Sequence, residues 1–409
     1  MNCKMKTIVP VMAVLLASSC TKNLIDKELQ PINGTLKAAV ATNPLLSYTK
    51  LEQTGTLRLS IPRADMGITA SNGKIYFAGG TNMQAYVQYT PDTALIITGG
   101  HQSIIDIYDT ATQTWGQANL SSARTDVSAV TAGSKVLFAG GNLLDTVNIK
   151  PGTNPKIKAP RAVATTTVDL YDTNSKQWTV ASLSKPRYGM SGAAIGNKAY
   201  FAGGVDSAGN YQKIVDVYDA TTNQWSTIPL PYGMKYSAAV ARGNEIIFVS
   251  NIIQILNTIN NTWTIHSVTF AYFQTIATLL NDKVCIADRT SHVVGNVNDK
   301  TFVEVYTTLS ANTSFINLPT PRTGVGLGSI GNKLILAGGG DISDEHQTAD
   351  IYDDVTHAAV TVPLTSGGAM NMQSVTVGNK LYMAGGRRYP LPTRRVAYPG
   401  MIDVFELKP

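Results

Sequence analysis

Arginine recurs in this chain at places suited to gripping an anion. Arg63, Arg124, Arg187 and Arg322 each stand sixteen residues before a glycine, at Gly79, Gly140, Gly203 and Gly338. In other copies of the same interval the place is taken by Met234, Tyr272 and Gly368, and Tyr188 and Tyr232 are close by. Four more arginines, Arg387, Arg388, Arg394 and Arg395, crowd the segment RRYPLPTRRVAYP. A guanidinium presents a planar fork of donors that fits a carboxylate or phosphate bidentately. A tyrosine ring offers a flat face on which a sugar stacks. One reading is therefore a pocket for an acidic saccharide or a peptide carboxylate. The competing reading has the recurrent arginines tie neighbouring structural units together and leaves the Arg-rich loop as a solvated rim.

Histidines add a second possibility. His101, His292 and His346 fall in the same kind of connecting segment, the last inside GGGDISDEHQTAD beside Asp344 and Glu345. One imidazole and two carboxylates are metal donors, but no spacing here follows a known ligand pattern, and no metal or cofactor is expected. His266 and His357 fall elsewhere and read as surface residues. No carboxylate or histidine is marked by position as an acid or base for proton transfer, so no catalytic residue is assigned.

The intervals extend beyond arginine. From Asp109, Asp172 and Asp219 the chain runs six residues to Trp115, Trp178 and Trp225, then five to Leu120, Leu183 and Leu230. Four more reach Arg124, Arg187 and Met234, and sixteen more reach Gly140, Gly203 and Ser250. The same steps from Asn257, Thr307 and Asp353, with one insertion before Gly385, land on residues several of which have changed type; the six runs link seven units, from the one holding Gly79 to the one holding Gly385. A fixed period marks a repeat architecture. KIYFA, KVLFA, KAYFA, KLILA and KLYMA are short β-rich runs, and VDVYD alternates with period two, so each unit predicts strands.

The order of apolar strand, double Gly, Tyr and Trp in FAGG…VDVYDATTNQW and its copies resembles the kelch repeat. The resemblance covers residues 54–409 and implies an all-β fold, a seven-bladed kelch-type β-propeller with one four-stranded antiparallel blade per repeat. It makes the Gly pair, Tyr and Trp structural, the glycines for crowded backbone and the rings for space between blades. The steps run off both ends: the last Trp position falls past Pro409, and counting back from Gly79 reaches Arg63, Leu59 and Thr54. TGTLRLS is thus a strand without a blade of its own. It is expected to complete the C-terminal blade and remove two open edges.

With the strands of a blade lettered A to D from the channel outward, the B–C and D–A connections share one face. From the second Gly position to the first Asp of DxYD, the B–C link spans 26 and 28 residues in the first two units and 17 in the last, against 3 in the fourth. Connections longer than about a dozen residues are usually functional or disordered, so this is the candidate binding face, walled at blades 7, 1 and 2 and open at blade 4. The arginines, tyrosines and three histidines named above belong to it. ALIITGG before His101 reads as an additional strand, either a hairpin within 81–103 or a displaced strand B.

The N-terminus is different in kind. Lys4 and Lys6 precede the apolar run IVPVMAVLLA and then ASSC, ending at Cys20, the pattern of a secretory signal. ASSC resembles the lipobox of bacterial lipoproteins, with Ala17 where Leu is commonest. The resemblance implies a signal peptide at 1–19, a lipidated Cys20 with a tether over 20–53, and a membrane held through that lipid; an ordinary cleaved signal is the alternative. Thr21 suggests sorting to the outer membrane of a bacterial cell envelope. Loss of residues 1–19 removes two lysines and no acids, taking the formal charge from +6 to +4, a mild balance that gives no reason to expect nucleic acid. Cys285, in KVCIA, is then the one unmodified thiol, with no internal disulfide to form.

Two enzyme classes are built on similar propellers. Galactose-oxidase-like proteins need a copper site with a cross-linked cysteine, which a strand-embedded Cys285 does not suit. Sialic-acid (N-acetylneuraminate) epimerases are secreted kelch propellers acting on an acidic sugar, but are usually six-bladed and not lipid-anchored. The expectation is a lipid-anchored, monomeric, non-catalytic binding or scaffold module for a glycan, an acidic sugar or a protein partner. An epimerase-type carbohydrate enzyme is the alternative.

Overall fold

Each repeat folds as a four-stranded antiparallel sheet, and the reason lies in two turn types. Strands A and B of the first blade, Gly67–Ser71 and Lys74–Ala78, are joined by Asn72 and Gly73, both at positive φ (49° and 72°), the geometry whose twist suits a two-residue hairpin. Strands C and D, Ile104–Asp109 and Thr114–Asn119, are joined by a turn that the Asp109 carboxylate holds by accepting from the backbone N–H groups of Ala111 and Thr112. Gln113 closes it in the left-handed region (φ 57°) and Trp115 then pairs directly opposite Tyr108. Asp172, Asp219, Asn257 and Asp353 hold the equivalent turns. That capped turn is what the six-residue step from Asp to Trp encodes.

The computed structural model describes residues 51–408 apart from 83, 89–93, 99, 145–161, 270–273, 289–301, 308–312, 321, 341–344 and 389–395, all within the unit Pro44–Pro409. Blade 2 comprises Ser128–Ala132, Lys135–Ala139, Thr167–Asp172 and Gln177–Ser182. Blade 3 comprises Ser191–Ile195, Lys198–Ala202, Ile214–Asp219 and Gln224–Pro229. Blade 4 comprises Ala238–Arg242, Glu245–Val249, Ile252–Asn257 and Thr262–Ser267. Blade 5 comprises Thr275–Leu280, Lys283–Asp288, Phe302–Tyr306 and Thr313–Asn317. Blade 6 comprises Gly326–Ile330, Lys333–Ala337, Thr348–Asp353 and Ala359–Pro363. In blade 7, Gln373–Val377, Lys380–Ala384 and Met401–Leu407 are joined by Leu51–Arg58 as the outer strand.

The ring therefore closes as the orphan strand requires. Leu51–Arg58 runs antiparallel to Met401–Leu407, with Leu57 opposite Ile402 and a bulge between Gln53 and Gly55. It begins at Leu51, three residues before the start read from the repeat spacing. Successive A strands touch, and the last touches the first. Strand B of blade 1 lies where the repeat places it, and the extra strand is a hairpin, Gln84–Gln88 with Ala94–Thr98. A second ladder, Asn142–Leu144 with Ala162–Ala164, rises from blade 2 on the same face.

The core lies between blades. Tyr108 of blade 1 packs against Tyr382 of blade 7, and Tyr171 of blade 2 against Tyr76 of blade 1. The tryptophans cover this seam from the outer strands and stay partly exposed, Trp115 most of all. Cys285 is buried with Val305, Leu334 and Leu336, and burial pushes its thiol up to about 12. It is inert packing.

Candidate functional site at the channel mouth

The four recurrent arginines lie beneath the binding face. Arg63, Arg124 and Arg187 are completely buried and Arg322 nearly so. Arg63 donates from Nε to the Gly79 carbonyl at 2.8 Å, from Nη2 to the Phe77 carbonyl and from Nη1 to Asp106 at 2.9 Å. Arg124 donates to Gly140 (2.8 Å) and Asp169 (2.6 Å), Arg187 to Gly203 and Asp216, and Arg322 to Gly338, with Asp350 at 3.2 Å. The sixteen-residue step from Arg to Gly is this hydrogen bond. Burial lowers the pKa of each guanidinium and the facing aspartate raises it. Their assignment to ligand recognition is corrected accordingly: each fork is spent on its own blade.

The tie between blades runs through backbone. Gly80 N–H donates to the Arg124 carbonyl of the next blade at 3.0 Å, Gly141 N–H to Arg187, and Gly204 N–H to Met234. Gly80 sits at φ 96° with the Ala64 carbonyl 2.5 Å from where a Cβ would stand, so only glycine fits. The partner residues were missed in the sequence, although a signal existed three residues before the capping aspartate. Asp106, Asp169, Asp216, Gln254, Glu304, Asp350 and Asp403 each accept from the backbone N–H of the D–A link, at Ser60, Ser121, Ser184, Tyr232, Thr269, Thr320 and Ser366.

Two blades vary this device. In blade 4, methionine replaces arginine and the acceptor is the amide of Gln254, so charge disappears from both sides. In blade 7, where Gly368 leaves the arginine place empty, Arg388 arrives from the B–C loop and donates to the Gly368 carbonyl at 2.5 Å. Burial raises the pKa of Asp403, and Ser366, Gln53 and Arg388 pull it back. Arg388 is thus also structural. Tyr272, His292, Arg394 and Arg395 lie outside the described residues, as do Cys20 and the tether up to residue 50.

Two residues beyond each arginine, and beyond Met234 in blade 4, the chain crosses the end of the channel, and there the functional candidates converge. Asp65, Asp126, Gly189, Tyr236 and Gly324 all occupy the left-handed region, with φ between 46° and 65°, as does Asn371 (φ 61°) in blade 7. They bring unlike side chains to one mouth. A polar cavity of about 340 Å³ opens among Asp65, Asp126, Tyr236, His101, Asn142 and Arg387, with Gln274, Asn371 and Gln373 also in its lining. Arg387 pairs with Asp65, and Asp126 is the second carboxylate in the lining. Burial holds the Tyr236 phenol far above its usual range, with Asp126, Tyr188 and Asp65 adding to the shift. Burial also lowers the His101 pKa, against the Asn142 backbone and Asp65, which raise it.

Of the sequence candidates, His101 and Arg387 line this cavity and Tyr188 stands behind it, edge-on to Tyr236 at 6.4 Å. Tyr232 lies on the outer rim, exposed. His346 is elsewhere, its backbone bonded to Gly339 beside the blade 6–7 seam. Nothing in the repeat spacing singles out Asp65, Asp126 or Tyr236. No group of three metal-ligating side chains occurs among the described residues.

The seven four-stranded sheets, closed into a ring, define a seven-bladed β-propeller. The model of the kelch motif matches residues 186–229, the span that contains Arg187 and all four strands of blade 3. No curated protein matches the chain. A propeller of this kind suggests a binding or scaffold module.

Proposed function

We propose that this chain is a monomeric, non-catalytic binding module, held at the bacterial outer membrane by lipid on Cys20, whose channel mouth takes the end of a neutral glycan. The cavity carries this reading. Its lining pairs acceptors (Asp65, Asp126) with groups that donate or do both (Tyr236, Asn142, Gln274, Asn371), which matches hydroxyls that donate and accept at once. Its 340 Å³ is at the small end for ligand sites of roughly 300–1,000 Å³, a fit for one terminal sugar. An acidic sugar is disfavoured: the four recurrent arginines are buried in ion pairs, and Arg387 is engaged by Asp65. The test is calorimetric titration of the full chain with neutral hexoses and with N-acetylneuraminate. Asp126→Asn keeps a residue that tolerates positive φ and should weaken neutral-sugar binding roughly tenfold or more, the loss of one charge-assisted hydrogen bond. Tighter binding of N-acetylneuraminate, or indifference to that change, defeats the reading.

The convergence of Asp126, His101 and Tyr236 at the mouth is the observation that favours the alternative, a sugar epimerase or related enzyme. Proton NMR of sugars incubated with the protein separates the two: accelerated interconversion supports the enzyme, unchanged rates the binder.

A further inference from the structure

The cavity has an aromatic ledge on one side. Tyr211 and Tyr232 are 52% and 55% exposed, and they are the two exposed large hydrophobics on this face among the described residues. The others lie on outer strands or on the opposite turns. Lys235 joins ledge to cavity, with Nζ 5.2 Å from the centre of the Tyr211 ring and 5.8 Å from that of Tyr236. The ledge is held in place from below. Gln254, completely buried, accepts from the Tyr232 N–H at 2.9 Å and donates to its carbonyl at 3.0 Å. Tyr211 is fixed by its bridge to Val205 and by the close approach of Gly233, whose Cβ position is 2.9 Å from Tyr211 Cβ.

This is also where the face is lowest. Strands B and C of blade 4 are joined through Ser250 and Asn251 alone, whereas blades 1 and 2 carry the extra ladders. A ligand chain held by one end in the mouth meets those ladders on the blade 1 and 2 side and has a notch at blade 4, with the tyrosines at its edge.

We propose that Tyr211, Tyr232 and Lys235 form a second subsite, over which a linear neutral oligosaccharide leaves the mouth through the notch at blade 4. Sugar rings carry apolar faces that stack on aromatic rings, and such rings cost little ordering entropy because their backbone is already fixed. The inference rests on the glycan reading above and adds direction and length to it: affinity should rise from a monosaccharide to a di- or trisaccharide, and that gain should belong to the ledge.

The experiment titrates the full chain with methyl hexopyranosides and with the matching linear di- to tetrasaccharides. It compares wild type with Tyr211→Ala/Tyr232→Ala and with Tyr211→Phe/Tyr232→Phe. The expected result is an oligosaccharide affinity roughly tenfold lower in the alanine variant, largely restored in the phenylalanine variant, with monosaccharide affinity the same in all three. Equal monosaccharide affinity also certifies that the variants are folded. If chain length brings no gain, or the alanine variant binds oligosaccharides like wild type, the subsite is refuted while the mouth stands. If no neutral saccharide of any length binds wild type, the glycan reading and the subsite fall together.

Discussion

At the residue scale, blade 4 shows what the buried ion pairs require. Met234 and Gln254 replace charge on both partners while keeping the hydrogen bond to the link. A buried ion pair broken on one side leaves an uncompensated charge, at a cost of about 3–5 kcal/mol, whereas replacing both partners is often close to neutral. Arg124→Met should therefore destabilise the fold by about 3–5 kcal/mol, and Arg124→Met/Asp169→Gln should recover most of that, read from denaturant midpoints. A non-additive recovery is the diagnostic outcome. The capping aspartates give a second prediction. Hydrogen bonds from Lys74 and the turn amides hold Asp109 down at about 2 in the fold, below its ordinary 3.8. A depressed folded pKa means that the stability contribution is present above the ordinary value and lost as pH falls toward 2. Denaturant midpoints of Asp109→Asn should lie below wild type at pH 7, and the difference should close on acidification through that window.

At the element scale, the closing strand carries the prediction. Leu51–Arg58 covers the edge of Met401–Leu407, Leu57 packs against the blade 7–1 cluster, and Gln53 donates to Asp403 at 2.6 Å. Deleting residues 51–58 exposes a sheet edge and opens the ring, so cooperative thermal unfolding should be lost; an unchanged melt would contradict the closure. This strand, the blade count and the turn grammar were legible because each fixed interval reports a contact. Six residues mark a capped turn, and sixteen mark Arg63 reaching Gly79. What the intervals did not report was side-chain direction, so four buried arginines read equally well as ligand groups or as ties. The mouth was illegible for another reason. The left-handed positions two residues after the arginines and Met234 repeat as backbone, but hold Asp, Asp, Gly, Tyr and Gly in turn. A site made where the repeat abandons its letters leaves no periodic trace.

At the scale of the whole molecule, the propeller is a rigid ring that gathers unlike residues from separate blades to one mouth, and a lipid on Cys20 would hold that ring at a membrane. An azido fatty acid fed to expressing cells should label the protein, and Cys20→Ala should abolish the label; labelling that survives the change contradicts the anchor. Whether the channel mouth binds the end of a neutral glycan is decided by a crystal structure of the full chain with the best saccharide from the titrations. The expected result is one sugar ring in the mouth within hydrogen-bond distance of Asp126 and Tyr236. A saccharide seated on the opposite face or on the outer strands, with the mouth left to water, would contradict it.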